Sequence, residues 1–251
     1  MSELFSIQLQ NRQQQGRDGI WLDLPTTTEQ VQAALRPIGI SSDNPQGLFI
    51  SGYFAEEEKR FAIPYNMVLA SNVDELNFLA SRLETLSTGE RAELNAALQA
   101  PQSELFSIGR ITDFPENVDY YVHLPDVHGP AQLGDYYLNR SGMVDMPEEW
   151  KGGIDTAQFG RYVAQQEQGA FTQYGYLVKS GDEWQKVHEG QPVPEEYRVL
   201  SFPAPEVLRD AANIPPPVQP ETEQQKVIPI ILNGKDSAER MKEITDRLET
   251  G

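Results

Sequence analysis

Residues 113–149 interleave acids with aromatic and aliphatic residues, and this pattern constrains the fold more than any other feature of the chain. The segment's acids are Asp113, Glu116, Asp119, Asp126, Asp135, Asp145, Glu148 and Glu149, and its one cation is Arg140. A disordered acidic tail would group its charges in a solid block, which this segment does not do. The pattern therefore predicts a folded surface that displays carboxylates, serving either solubility or the binding of a basic partner.

Composition limits the kinds of partner and the compartment. The 251 residues carry a formal net charge of -18 and include no cysteine, which excludes disulfides and thiolate chemistry. Length alone allows one or two domains. Lys and Arg are scattered rather than clustered, so we expect no direct nucleic-acid binding and no anionic membrane partner. Neither a signal peptide nor an apolar run long enough to span a bilayer is apparent, which predicts a cytoplasmic protein.

The first part of the chain has the pattern of a small α+β domain, residues 1–62. Strand-like runs occupy residues 4–9, 20–24 and 47–54. Between the last two, Thr26 and Glu29 have the spacing of a capping box, which predicts a helix that ends before Pro37.

A helical middle domain is predicted for residues 63–102. Asn72 is placed to cap one helix, and Ser87 with Glu90 forms a capping box for the next. The leucines of these two predicted helices recur at helical spacing, so we expect them to lie in the hydrophobic core rather than to line a binding groove.

Residues 103–205 are predicted to form an acidic α+β domain. Residues 103–108 repeat residues 2–7 letter for letter, which suggests a second strand opening a similar small sheet. Asp155 is placed to cap a helix that Gly169 ends, and residues 174–178 have a strand pattern. The fold class expected is thus α+β, an elongated array of three small domains.

The composition changes near the C-terminus. Residues 206–226 have the composition of a proline-rich linker. Residues 227–251 have the pattern of a strand followed by a capped helix that is still running at Gly251. That ending suggests either a fragment of a longer protein or a tail that docks on a partner.

The chain lacks a recognisable catalytic or metal-binding motif. His123 and His128 are five residues apart with Pro125 between them, so they do not match the helical pair of a zinc enzyme. No G-x-S-x-G sequence is present, and the adjacent acids at 148–149 and 195–196 cannot face each other across a substrate. We therefore expect no enzyme activity, no metal site and no cofactor.

Three stretches in order resemble the ArdA antirestriction family. They are GIWLDLP at residues 19–25, NVDELNFLASRL at residues 72–83, and a series that begins with ENVDYY at 116–121. That series continues through LGDYY at 133–137 and FGRY at 159–162 to GAFTQYGY at 169–176. The resemblance covers roughly residues 4–180 and does not extend to the proline-rich linker or the C-terminal piece.

The resemblance implies an elongated homodimer that mimics double-stranded DNA and occupies the DNA-binding groove of type I restriction–modification enzymes. It would thereby protect incoming mobile DNA. The hypothesis places on the mimicking surface the eight acids of residues 113–149 together with a second group. That group is Glu56, Glu57, Glu58, Asp74, Glu75, Glu84, Glu90 and Glu93, of which Asp74, Glu75 and Glu90 are also suited to the first turns of helices.

Two alternatives remain. The chain could be an acidic adaptor of a mobile element, without DNA mimicry, that binds one partner through an apolar patch. A hydrolase would need His123 or His128, because histidine is the side chain suited to proton transfer at neutral pH.

Overall fold

The computed structural model of the protein describes residues 4–14, 18–41, 46–56 and 61–200. The first part of the chain forms a three-stranded antiparallel sheet and one helix. The elements are β1 (Phe5–Asn11), β2 (Ile20–Leu24), α1 (Thr28–Leu35) and β3 (Leu48–Phe54), and the strand order is β2-β1-β3. Every second residue of β1 is buried, including Ile7 and Leu9, because successive side chains of a strand point to opposite faces. The three predicted strands are confirmed: β2 has the predicted ends, and the ends of β1 and β3 differ from the prediction by at most two residues.

Helix α1 begins one residue later than the predicted capping box places it. Thr27, rather than Thr26, is the N-cap, and its partner in the box is Gln30 instead of Glu29. The reason is tertiary: Thr26 is buried, and its backbone N–H donates to the Asn77 side chain at 2.7 Å. The prediction of the helix is confirmed and that of its first residue is wrong.

The middle of the chain is helical, as the sequence predicts. It contains α2 (Tyr65–Leu69), α3 (Val73–Glu84) and α4 (Thr88–Gln99). The Asn72 side chain accepts the Glu75 N–H at 2.9 Å, and Ser87 and Glu90 form the expected reciprocal capping box. Leu76, Leu79, Leu83 and Leu94 are fully buried, so these leucines are core.

The repeated hexapeptide does not produce a repeated strand. In the first copy, Phe5 and the residues after it belong to β1, whereas in the second Ser107 is the N-cap of α5 (Ile108–Thr112). The residues that come after each copy account for the difference. Residues 8–11 continue an alternating strand pattern, but the Arg110 N–H donates to the Ser107 hydroxyl and starts a helical turn. The expectation of a second strand at residues 103–108 is wrong.

A second three-stranded sheet lies toward the end of the described chain, in the order β4-β6-β5. Its strands are β4 (Tyr121–Leu124), β5 (Ala170–Thr172) and β6 (Gly175–Lys179). The segment between β4 and β5 contains α6 (Pro130–Asp135), a π-helical turn (Tyr136–Arg140), α7 (Glu148–Lys151) and α8 (Thr156–Glu167). Asp155 caps α8 through the Gln158 N–H, as predicted, and Gln168 in the left-handed conformation ends it beside Gly169.

One continuous hydrophobic core joins all three predicted segments. Leu22, Leu79 and Ile111, one from each segment, belong to the same cluster of buried side chains. A smaller cluster around Leu133 and Tyr176 lies under α6 and α8. The mixed α and β composition is confirmed, while the division into three domains stays a prediction. No helix within the described ranges has the length and apolarity needed to cross a membrane.

The described part of the chain lies within a unit spanning Met1–Phe202. The predicted proline-rich linker at residues 206–226 and the strand–helix piece at residues 227–251 lie outside the described residues.

Helices α6 and α8 approach each other backbone to backbone at two glycines. A Cβ at Gly160 would lie 1.8 Å from the carbonyl oxygen of Pro130, and one at Gly134 would lie 2.0 Å from that of Thr156. Both contacts are with main-chain atoms, which cannot move away without separating the helices. The packing of this part of the fold therefore requires glycine at both positions.

The substitution Gly160→Ala is expected to destabilise the protein by about 3 kcal/mol, because the added methyl group forces the two helices apart. The free energy of unfolding in urea measures this. Gly89→Ala is the matched control, since Gly89 lies in α4 with nothing within 4 Å of its Cβ position. The control should be neutral or slightly stabilising. Equal changes in the free energy of unfolding for the two substitutions would contradict the close approach of the α6 and α8 backbones.

Candidate acidic surface

The predicted acids are not equally available to a partner. Six of those in the described residues are exposed, namely Glu56, Asp119, Asp126, Asp145, Glu148 and Glu149. Another seven are half-buried, namely Asp74, Glu75, Glu84, Glu90, Glu93, Glu116 and Asp135, and Asp113 is fully buried. Glu57 and Glu58 lie outside the described residues. The sixteen predicted residues thus include carboxylates of very different kinds.

Four exposed carboxylates have no cationic partner among the described residues. Asp119 lies in the 3-10 turn before β4, Asp126 in the turn after it, Asp145 in the loop before α7, and Glu149 within α7. No Lys or Arg nitrogen in the described ranges lies within salt-bridge distance of any of them. Their charges face solvent and are available to a cationic surface.

Three further acids of this group form ion pairs within the chain. Arg82 pairs with Glu116, Arg140 with Asp135 at 3.0 Å, and Lys151 with Glu148 at 2.6 Å. Pairs at the surface contribute little to stability because water screens them and both side chains lose freedom. A partner rich in arginine could compete for these carboxylates, so an ion pair here does not remove an acid from the surface.

Asp113 does not belong to the acidic surface, and its prediction there is wrong. Its carboxylate is fully buried and accepts the backbone N–H groups of Val187, His188 and Glu189, at 3.2, 2.6 and 3.2 Å. The carboxylate therefore satisfies three donors of a loop more than seventy residues away. No local sequence signal marks this role, because an acid that stabilises a distant loop looks the same as one that faces solvent.

Asp74 also faces inward, although it lies in the first turn of α3. Its Oδ1 accepts the backbone N–H groups of Val199 and Leu200 at 2.7 and 2.9 Å. Burial raises the pKa of the Asp74 carboxyl, and the same two hydrogen bonds and the Arg198 charge oppose that rise. Like Asp113, Asp74 binds the segment after β6 rather than a partner.

Glu90, Glu93 and Asp119 form a group of like charges at α4. Burial raises the pKa of the Glu93 carboxyl to about 8, and the neighbouring charges of Glu90 and Asp119 add to this effect. The Glu93 Oε1 atom is buried and has no hydrogen-bond partner among the described residues. Hydrogen bonds to Ser87 instead lower the pKa of Glu90. At neutral pH the group holds a proton on Glu93, so it carries fewer charges than its sequence indicates.

A buried arginine that no sequence pattern singles out links distant parts of the chain. Arg110 donates to Glu104 at 2.9 Å and to Glu189 at 3.2 Å, and its guanidinium lies over the rings of Phe106 and Trp184. The two carboxylates and two aromatic faces compensate the buried charge. Because Glu189 is far from Arg110 in sequence, no spacing pattern could reveal this site.

The histidines have ordinary surroundings in the described chain. His123 Nε2 lies 2.7 Å from the carbonyl oxygen of Tyr174, and His128 is exposed in the short loop between β4 and α6. Asp113, Glu116 and His188 bring potential metal-ligand atoms within 4.8 Å of one another. However, Asp113 already accepts three N–H groups and Glu116 pairs with Arg82. Asp113 is thus compensated by the protein itself, whereas Glu116 is compensated through Oε1 only, its Oε2 being buried without a hydrogen-bond partner among the described residues.

The fold and its exterior define a class: a cysteine-free, acidic α+β protein whose described surface carries exposed, unpaired carboxylates. Comparison with known families then identifies it, because residues 15–178 match the family model described as "Antirestriction protein (ArdA)". The match covers more than half of the chain, so the protein belongs to the ArdA family of non-enzymatic antirestriction proteins, which interact with restriction–modification enzymes. No curated protein matches the sequence.

Replacing Glu93 by glutamine should remove a pH-dependent loss of stability. Its pKa of about 8 in the folded protein lies above the ordinary value of 4.5, so unfolding releases a proton between these values. Stability therefore falls as pH rises through that range and levels off above pH 8. Glu93→Gln should match the parent near pH 5 and be more stable by about 1–2 kcal/mol at about pH 9, allowing for solvent screening.

Urea unfolding at about pH 5, 7 and 9, on either side of the folded-state pKa, measures this difference. Glu149→Gln is the matched control, since Glu149 is exposed and its change should have the same small effect at every pH. A Glu93→Gln effect that does not vary with pH would show that the like-charge group does not hold this proton.

Proposed function

We propose that this protein inhibits type I restriction–modification enzymes by occupying their DNA-binding groove in place of duplex DNA. The observation that carries the proposal is the set of exposed carboxylates without cationic partners in the described part of an ArdA family member. Asp119, Asp126, Asp145 and Glu149 would stand in for phosphates. Glu116, Asp135 and Glu148 would join them when the arginines and lysines of the enzyme displace their internal partners.

The electrostatics of DNA recognition support this mechanism. Duplex DNA carries a negative charge about every 1.7 Å of helix axis, and proteins that bind it neutralise these charges with Lys and Arg. A protein carboxylate accepts hydrogen bonds from the same side chains, frequently in the bidentate geometry that arginine also uses for phosphate. It offers neither a scissile phosphodiester bond nor base edges, so the enzyme would be occupied without a reaction.

The fixed positions of the acids also support it. Asp119 lies in a 3-10 turn, Asp126 comes shortly after β4, and Glu149 lies within α7, so short regular elements hold or flank their main chains. Because the positions of these acids are set before binding, less conformational entropy is lost when a partner binds them. Long-range attraction between opposite charges would further accelerate association.

Further aspects of the proposal derive from the family. We propose that the protein acts as a homodimer in the cytoplasm and that it protects incoming mobile DNA, such as a conjugative transposon. Neither role requires a metal ion, a cofactor or a catalytic residue. The proposed partner is a protein, the restriction–modification enzyme, rather than nucleic acid itself.

An adaptor function is the second candidate, and one observation favours it. Met143 and Trp150 expose 76% and 66% of their surfaces on either side of Asp145 in the sequence, so apolar and acidic groups alternate there. Exposed large apolar side chains that occur together can mark a site of protein association. Such an adaptor would bind mainly through apolar contacts, and removal of the surrounding charges would weaken it only slightly.

Mimicry by many contacts predicts a graded response to charge removal. Each single change among Asp119→Asn, Asp126→Asn, Asp145→Asn and Glu149→Gln should reduce inhibition of a type I enzyme only mildly, by about 0–1 kcal/mol each, as for exposed ion pairs. The four changes together should abolish most of the inhibition. Restriction of unmodified DNA at increasing inhibitor concentration measures both effects.

A control set separates the position of the charges from their number. Asp182→Asn, Glu183→Gln, Glu195→Gln and Glu196→Gln also remove four exposed acids, and all four lie outside the matched residues 15–178. This set should leave most of the inhibition intact. Equal loss of inhibition with both sets would show that only the net charge of the protein matters. Loss of inhibition after one single change in a folded protein would show that binding uses a discrete site rather than the proposed surface.

A further inference from the structure

Asp113, Glu116 and His188 form a cluster of potential metal ligands where the loop after β6 meets the end of α5. One ligand atom of each side chain lies within 4.8 Å of those of the other two. Asp113 directly precedes the 3-10 turn Phe114–Glu116, and side chains three residues apart in such a turn lie above one another. His188 comes from more than seventy residues further along the chain, so no sequence motif could indicate the cluster.

The Asp113 carboxylate is buried and firmly oriented, yet it retains the capacity to bind a cation. Its Oδ2 accepts the N–H groups of Val187 and Glu189, whereas its Oδ1 accepts only the His188 N–H, at 2.6 Å. A carboxylate has about four acceptor sites, so these three donors do not use all of them. Hydrogen bonds of this kind commonly orient a carboxylate that binds a metal ion.

Glu116 supplies the observation that most favours a ligand at this position. Its Oε1 accepts from Arg82, but its Oε2 is buried and has no hydrogen-bond partner among the described residues. A buried carboxylate oxygen without a donor is costly to the folded state. Arg82 offsets only one of the two carboxylate charges of the cluster, so the cluster still favours a cation.

The half-buried imidazole of His188 determines which cation fits. Its ring nitrogens make no hydrogen bond within the described residues, and its ring packs edge-on against Phe78 with centroids 5.0 Å apart. Calcium and magnesium ions prefer oxygen ligands alone, whereas zinc binds imidazole nitrogen together with carboxylate oxygen. One nitrogen and two carboxylates therefore point to zinc.

We propose that the carboxylates of Asp113 and Glu116 and a ring nitrogen of His188 bind one zinc ion, with water completing the coordination. Zinc lies about 2.0–2.2 Å from such ligands, so tetrahedral donors are roughly 3.4 Å apart. Rotation of the half-buried Glu116 and His188 side chains brings the donors from within 4.8 Å to this spacing, while Asp113 keeps its backbone donors. The ion fastens the loop after β6 to the end of α5. This role is structural and independent of the proposed inhibition.

Calorimetric titration of the full chain with zinc chloride, without a histidine tag and at about 0.15 M salt to screen the surface acids, tests the site. We expect saturation at one ion per chain and a Tm that rises with zinc concentration. His188→Gln and Glu116→Gln each remove one ligand and should weaken zinc binding about ten-fold or more. His128→Gln is the matched control, because His128 is exposed and lies outside the cluster, and it should bind zinc as the unmodified chain does.

Several results would overturn the zinc site. Absence of binding, or binding that does not saturate at one ion per chain, would show that surface acids hold zinc only adventitiously. Unchanged affinity in folded His188→Gln and Glu116→Gln chains, or an equal loss in His128→Gln, would place the ion elsewhere. X-ray absorption of the zinc-loaded unmodified chain decides the matter even where a variant does not fold. It should show one imidazole among oxygen ligands, and no imidazole, or more than one, would contradict the assignment.

Discussion

The buried carboxylate of Asp113 is the interaction on which the second half of the structure depends. It brings the N–H groups of residues 187–189 to the end of α5, and Glu189 then reaches the buried Arg110. Burying a carboxylate is costly unless several donors compensate it, and here three backbone groups do so. Because of this anchor, an irregular segment without strand partners packs against the body of the protein.

A strongly acidic chain must both fold and present its charges, and it does so by separating two kinds of acid. Asp74, Asp113 and Glu104 are used internally, where they bind N–H groups or cations. Others in the described chain face solvent without a cationic partner and repel one another, which destabilises the compact state. The raised pKa of Glu93 is the local sign of burial and of that repulsion. A basic partner would relieve the repulsion at the surface, which links the charge distribution to the proposed function.

Local patterns predicted the elements of the fold well and their tertiary roles poorly. Asn72, Ser87 and Asp155 cap the expected helices because capping involves residues two or three positions apart. The N-cap of α1 is Thr27 rather than Thr26 because Thr26 is bound by Asn77, which is distant in the sequence. The second copy of the hexapeptide starts a helix at Ser107 because the residues that follow it differ from those that follow the first copy. The same limit applies to the acidic surface. Asp126 is exposed, and its place on a mimicking surface stays a prediction. The sequence could not show that Asp113 faces the core, since its partners are more than seventy residues away.

Binding of a restriction–modification enzyme through many carboxylates that replace phosphates should be highly sensitive to salt. The dependence of the affinity for a type I enzyme on salt concentration tests this most directly, because each ionic contact is weakened by screening. We expect the logarithm of the association constant to fall steeply and linearly with the logarithm of salt concentration. We also expect excess duplex DNA to displace the protein. An affinity that hardly changes with salt, or a complex that binds DNA at the same time, would contradict the proposed mimicry.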